Sequence, residues 1–378
     1  MEKSEILKRA NAYIAEEKDE NFRSEVESLI AKDDIKELED RFYQSLEFGT
    51  GGLRGIMGGG TNRMNPLVIN RATQGLASYV IKAFPEKAKA GTLSAVLAYD
   101  SRKNSDVFAE AAACIFAANG IKAYLFSSLR PTPELSFAVR TLGADTGVIV
   151  TASHNPRIYN GYKVYWNDGA QVIPPHDKGI IGEVNAVKEI KTMSKDEAIK
   201  AGKIVLIDKD IDEKFWDMCK AQLFRPDLIK AHAKDVKIVY TPLHGTGGMH
   251  VEKVLGDLGL NVITVPEQRE PDGSFPTVEK PNPEEAPAMK LAIALGEKEK
   301  ADCIMATDPD ADRFGSAFPD KDGKFVLITG NQMGALFLEY IFPIFVLGLF
   351  FDLCLFLLGQ SKANIANGGK IVCLEGRE

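Results

Sequence analysis

A chain of 378 residues with 45% apolar and 26% charged residues has the make-up of a globular protein long enough for two or three domains with cores of their own. Its net charge of −7 argues against nucleic acid as a partner, which calls for a basic face, so an anionic ligand would have to be drawn in by local Arg and Lys. Five cysteines without paired spacing suggest neither a zinc site nor a disulfide framework. The opening Met1-Glu2-Lys3-Ser4-Glu5 lacks the apolar core of a signal peptide, and a cytoplasmic location is the expectation.

Residues 3–48 are rich in Glu, Lys, Ala and Leu with few breakers, which predicts two or three amphipathic helices packed on the outside. Charges such as Glu16, Glu17 and Lys18 read as a solvated face. Residues 49–60 carry seven glycines, a backbone able to approach a ligand closely. The Gly-Lys-Ser/Thr ending of a nucleotide loop is missing, as is a complete Gly-x-Gly-x-x-Gly. The functional content of this stretch is Arg54, a planar donor fork suited to phosphate; glycine clusters by themselves are more often plain loops.

From Asn70 the pattern alternates: helix 70–84, strand 94–99, helix 105–119, strand 121–126, helix 133–142, then the apolar run Gly147-Val148-Ile149-Val150. Strands alternating with helices predict an α/β layer fold with a mixed sheet. The last run opens into Thr151-Ala152-Ser153-His154-Asn155-Pro156. Pro156 has no N–H to extend the ladder, which sets Ser153 at the carboxyl end of a strand, where open α/β sheets hold their ligands. An ordinary polar turn is the competing reading. Asn160-Gly161 is then a turn signal, and the alternation of the following residues as a strand points Lys163 back towards Ser153; an exposed strand lysine is the alternative. His154 is a tempting base, but neighbours along a strand point in opposite directions, which argues against a Ser153–His154 dyad. No Gly-x-Ser-x-Gly elbow supports an esterase.

A second α/β unit is expected from strands 236–240, 261–265 and 301–306 with helices near 248–258 and 283–300. The glycine-rich turn 241–248 could hold a phosphate at a helix start or simply be a tight connection. At the end of the last strand stands Asp308-Pro309-Asp310-Ala311-Asp312-Arg313. Three carboxylates at alternate positions repel one another unless a hard cation sits among them, and all-oxygen ligation suits magnesium. An EF-hand is excluded, because Arg313 stands where that loop needs Gly and Pro319 where it needs Glu. A solvated acidic turn is the remaining alternative.

Taken together, Gly49-Thr50-Gly51-Gly52-Leu53-Arg54-Gly55, Ser153 with Lys163 after it, and Asp308 to Arg313 resemble, in order and gaps, the phosphohexomutase family of phosphoglucomutases and phosphomannomutases. The long helical lead, 1–48, resembles the phosphoglucomutase and phosphopentomutase branch. The resemblance implies two consecutive α/β domains with mixed sheets, 49–205 and 206–328, followed by the start of a third. It implies an isomerase that moves phosphate between C1 and C6 of a hexose through a phosphoserine and a bisphosphate. Ser153, Lys163, Arg54, Arg313 and His154 would be catalytic. Mg2+ would sit on Asp308, Asp310, Asp312 and Ser153, and phosphate on Thr151, Asn155 and Arg54. Sugar phosphates would be the partners, with a hexose 1,6-bisphosphate as activator and phosphate donor. Lys163 as general acid and base would need its pKa lowered by nearby cations.

The resemblance also implies a departure. Family members continue into a third domain that reads the sugar hydroxyls and a fourth that binds the distal phosphate, whereas residues 341–358 here are almost purely Phe, Leu and Ile. That length is at the lower limit for a membrane span. A membrane anchor and a core helix compete with a stretch outside the family's reading frame. The last is the expectation, making 329–378 an incomplete third domain with an atypical tail and the chain a C-terminally truncated member. Catalysis by positioning would then be impaired. The rival readings are an inactive fragment or binding module, with membrane contact only through 341–358, and a metal-dependent phosphatase that releases inorganic phosphate.

Overall fold

A strand buried on both faces needs no alternation of polar and apolar residues, and the first sheet is built round two of these. The computed structural model describes residues 1–49 and 51–342. In it, β1 (Gly52–Ile56), β2 (Ser94–Tyr99), β3 (Lys122–Phe126), β4 (Thr146–Val150), β5 (Tyr159–Trp166) and β6 (Ile204–Ile207) form one sheet in the order β1-β5-β4-β2-β3-β6. Strands β4, β2, β3 and β6 run parallel, β6 at the sheet edge, while β5 is antiparallel to both β4 and β1. In β2, Ala95 and Leu97 join the core under helices Pro66–Ala83 and Ser105–Ala118, and Val96 and Ala98 join the core under helix Thr132–Leu142.

A second sheet, β7 (Lys237–Thr241), β8 (Asn261–Thr264), β9 (Cys303–Thr307), β10 (Phe314–Pro319) and β11 (Phe325–Ile328), has the order β11-β10-β9-β7-β8. It too is mixed: β9, β7 and β8 are parallel, and β10 and β11 antiparallel. The α/β class and the mixed sheets are therefore as expected. β1, β6, β10 and β11 were not anticipated, nor was the helix Lys209–Ala221 between the sheets.

Local signals explain the shifted boundaries. The helix expected from Asn70 starts at Pro66, because Pro suits the first turn and the Asn65 side chain accepts from Val68 N–H at 3.0 Å. The glycine stretch 49–60 is in part a strand rather than an open loop. Three helices, Lys3–Glu16, Glu20–Ala31 and Ile35–Phe42, form the N-terminal lead, and at Gly59 a Cβ would lie 2.4 Å from Phe22 O in the second of them. Glu17 corrects the expectation of a solvated face. It is buried, accepting from Tyr13 Oη at 3.0 Å, Asp19 N at 2.9 Å and Leu67 N at 3.2 Å, and so ties the lead to the body.

Asn160-Gly161 is also not a turn. Both residues lie inside β5, with Asn160 Nδ2 donating to Lys103 O and Ser105 Oγ, each at 3.1 Å. Glycine is required at 161 because a Cβ there would come within 2.4 Å of Thr151 O and 3.0 Å of Leu53 O. Residues 330–342 are helical. The apolar stretch 341–358 lies outside the described residues beyond Phe342. Among the described residues no helix is long and apolar enough to cross a membrane.

Replacing Gly161 by Ala is expected to cost about 1–3 kcal/mol through forced backbone shifts. Gly182→Ala, at an open helical position with nothing within 4 Å, is expected to be neutral or stabilising by up to about 1 kcal/mol. Urea unfolding of the two variants beside the parent checks both signs.

Candidate active site

The Ser153 loop leaves the carboxyl end of β4, and the acidic loop leaves the carboxyl end of β9. Each is bent by a residue in the left-handed region, Ser153 at φ 53° and Ala311 at φ 52°, a conformation that costs roughly 1–2 kcal/mol for a non-glycine residue. The loops meet. Ser153 Oγ donates to Asp308 Oδ2 at 2.6 Å, and Asp308 Oδ1 accepts from Arg313 N–H at 3.0 Å. Lys163 on β5 donates from Nζ to Asp310 Oδ2 at 2.7 Å and to Asp312 Oδ2 at 2.9 Å. Asp308 and Asp310 are fully buried, and Asp312 is exposed.

The bend at Ser153 brings His154 beside the serine despite the alternation, although the hydroxyl's one proton goes to Asp308. Alternation along a strand ends where φ turns positive, and Ser153 Oγ lies 3.2 Å from His154 Nδ1. Burial, helped by Arg313, Arg54 and Lys280, lowers the His154 pKa to about 4, so the ring is neutral at pH 7. Lys163 needs the opposite correction. Burial works against its ammonium, but the facing groups are carboxylates rather than cations, and Asp310 and Asp312 hold its pKa above the ordinary value. Burial and the neighbouring Asp310 and Asp312 push Asp308 well above the usual carboxylate range. Asp310 is held below it, because Lys163 outweighs the effect of burial.

Thr151, expected at the phosphate, is spent inside the loop. Its fully buried hydroxyl donates to Asp100 Oδ2 at 2.6 Å and accepts from Ser153 N–H at 2.8 Å. Arg54 stands exposed on β1 with Nη1 3.5 Å from Asn155 Oδ1, and Arg313 Nη1 lies 3.6 Å from Glu284 Oε2. The turn 241–248 is a tight connection. His244, Gly245 and Thr246 N–H groups donate to Gln268, Pro242 and Pro309 carbonyls, and a Cβ on Gly245 would lie 2.3 Å from Pro309 Cα.

Sequence reasoning missed what holds the serine loop. Arg102 is buried beneath it, donating from Nη1 to Pro156 O and Tyr159 O, each at 3.0 Å, and from Nη2 to Ser153 O at 2.6 Å and to Asn155 O. Asp100, paired with Arg102 at 3.3 Å, also accepts from Ser105 Oγ at 2.8 Å. The available signal was their place directly after β2, at the same sheet edge as the serine.

The three carboxylates can bring an oxygen each to within 4.8 Å of one another, and Asp310 Oδ1, though buried, has no hydrogen-bond partner. Hard oxygens with one left undonated fit a divalent cation. The fold and site thus define an α/β protein that sets a serine hydroxyl against a cation-type carboxylate cluster at the junction of two mixed sheets.

Comparison with known proteins agrees. The family description "Phosphoglucomutase/phosphomannomutase, alpha/beta/alpha domain I" matches residues 45–191, and the corresponding domain II description matches 213–323. The chain belongs to the phosphoglucomutase/phosphomannomutase family. It is 40% identical over 332 residues to the phosphoribomutase of Saccharomyces cerevisiae, which spans 84% of this chain and 53% of the relative. Against the glucose 1,6-bisphosphate synthase of Homo sapiens it is 36% identical over 331 residues, 85% of this chain and 52% of that one. The chain therefore spans about half the length of the curated relatives it matches. A phosphoglucomutase/phosphomannomutase family protein from Burkholderia thailandensis, 23% identical, shares the fold with a TM-score of 0.57 over 74% of this chain and 55% of its own.

Arg102→Ala would leave Asp100 buried without its ion-pair partner and take the guanidinium donors from four loop carbonyls, of which Pro156 O keeps the Tyr159 N–H. A loss of about 3–5 kcal/mol is expected, with faster amide exchange across 151–161 as the local signature in hydrogen-exchange mass spectrometry.

Proposed function

We propose that this chain carries out sugar-phosphate mutase chemistry with Ser153 as the phosphate carrier. The reading rests on one contact above all: the Ser153 hydroxyl set 2.6 Å from the Asp308 carboxylate, beside Lys163 and two further carboxylates. Residues 49–205 would supply the phosphoserine and 206–328 the cation site. Asp308, Asp310, Asp312 and Ser153 would hold Mg2+, which when bound supplies positive charge against a phosphate carrying about −1.5 to −2.

Phosphoryl transfer asks for positioning and charge stabilisation. In the proposed step a sugar hydroxyl oxygen bonds to the phosphorus on Ser153 and the bond from phosphorus to Oγ breaks, leaving a sugar bisphosphate. The hydroxyl proton is balanced by the one that Oγ takes up. Lys163, an ammonium in this setting, donates to Oγ and takes up the proton that the sugar hydroxyl releases, and the same exchange runs in reverse when the second phosphate returns to serine. Arg54 and Arg313, each only loosely engaged, flank the phosphate with Asn155. His154, neutral, orients the serine hydroxyl.

The substrate is an aldose phosphate. Transfer between C1 and C6 of a hexose is the notation of the phosphoglucomutases, and the resemblance to a phosphoribomutase adds pentose phosphates to the same class. Incubation with glucose 1,6-bisphosphate carrying radiolabelled phosphate, in the presence of Mg2+, is expected to label the parent chain and not Ser153→Ala, and chelation with EDTA is expected to suppress labelling by at least about tenfold. Label passed on to glucose 1-phosphate or ribose 5-phosphate supports the mutase reading. Label released only as inorganic phosphate would establish a phosphatase, and a chain that never takes up label would overturn the proposal.

A further inference from the structure

Thr132 opens the helix Thr132–Leu142 of the first sheet's layer yet bonds to the acidic loop of the second. Its N–H donates to Asp310 O at 2.9 Å and its buried hydroxyl to Asp310 Oδ2 at 2.7 Å. Lys163 Nζ donates to that same oxygen. One oxygen of Asp310 is thus spent on two donors from the other sheet, while the second is buried and without a partner in a carboxylate that belongs to the acidic cluster.

The position of Thr132 is itself enforced. Two residues on, the fully buried Glu134 faces His250 Nε2 at 3.1 Å and Arg130 Nε at 3.7 Å. Arg130 forks onto Asp212 with bonds of 2.7 and 2.9 Å, and Trp216 Nε1 donates to His250 Nδ1 at 3.0 Å. Helices of the first layer, the connecting segment and the second layer therefore converge behind the tip of this helix. On the other side of the acidic loop, Thr246 donates from N and Oγ1 to Pro309 O at 2.8 and 3.0 Å.

We infer that Thr132 is a positioning residue for the cation, orienting Asp310 across the junction so that metal affinity depends on how the two sheets are docked. The inference rests on the cation reading given above. Hydrogen bonds that orient a ligating carboxylate typically account for 10–100-fold in metal affinity.

The test is a direct titration of the full chain with Mn2+, following free Mn2+ by electron paramagnetic resonance, so that no turnover is needed. Thr132→Val, which keeps the side-chain shape and deletes the hydroxyl, is expected to weaken binding by roughly tenfold or more, and Thr132→Ser to restore it. Circular dichroism verifies the fold of each variant. Should Thr132→Val not fold, Thr132→Ala removes the same hydroxyl without added bulk and is read in its place. Binding by the hydroxyl-free variant as tight as the parent's would overturn the role of Thr132. Failure of the parent to bind, or binding that survives the double change Asp308→Ala and Asp312→Ala, would instead sink the cation reading itself.

Discussion

Two carboxylates with no access to solvent, Asp308 and Asp310, lie side by side at the junction of the sheets, and the architecture around them is arranged to make that tolerable. Buried charge is costly unless it is paired and hydrogen-bonded. Their own domain supplies little beyond the Arg313 amide. The serine hydroxyl, the Lys163 ammonium and the Thr132 hydroxyl all arrive from the first domain. The bonds that make the chemical site are consequently also part of the contact between the domains. A change that separates the sheets also strips the carboxylates of their donors.

Around this junction the backbone runs at very short range. Gly161 lets β5 pass under Thr151, Gly245 lets the turn after β7 lie against Pro309, and Gly273 does the same against Ser101, where a Cβ would come within 2.5 Å of the carbonyl oxygen. Arg102 then gathers the carbonyls that a bent loop leaves without strand partners. Loops at strand ends are ordinarily the mobile part of an α/β fold. Here the serine loop is fastened from beneath and the acidic loop from both sides.

Much of this was legible because buried parallel strands write themselves as unbroken apolar runs. Gly147 to Val150 and Cys303 to Ala306 announced their strands and, with them, the two loops. Other features were hidden for identifiable reasons. A buried arginine is spelled like a surface one, so Arg102 passed unnoticed, and Glu17 was mistaken for solvated surface. Asn160-Gly161 carries a hairpin's spelling but serves close packing. The short strands β6, β10 and β11 have only four to six residues, too few for a period to stand out. No local pattern could say that residues 153 and 308, or 132 and 310, touch. That information belongs to the docking of two sheets.

The left-handed bend at Ser153 carries a consequence for which amino acid can stand there. Threonine offers the same primary chemistry, an aliphatic hydroxyl able to accept and give up a phosphate. A β-branched residue with φ near 53°, however, is a steric outlier, since its branched Cβ crowds its own carbonyl. At this position the backbone discriminates between two alcohols that the reaction itself would scarcely tell apart. Serine is then an answer to geometry first and to reactivity second.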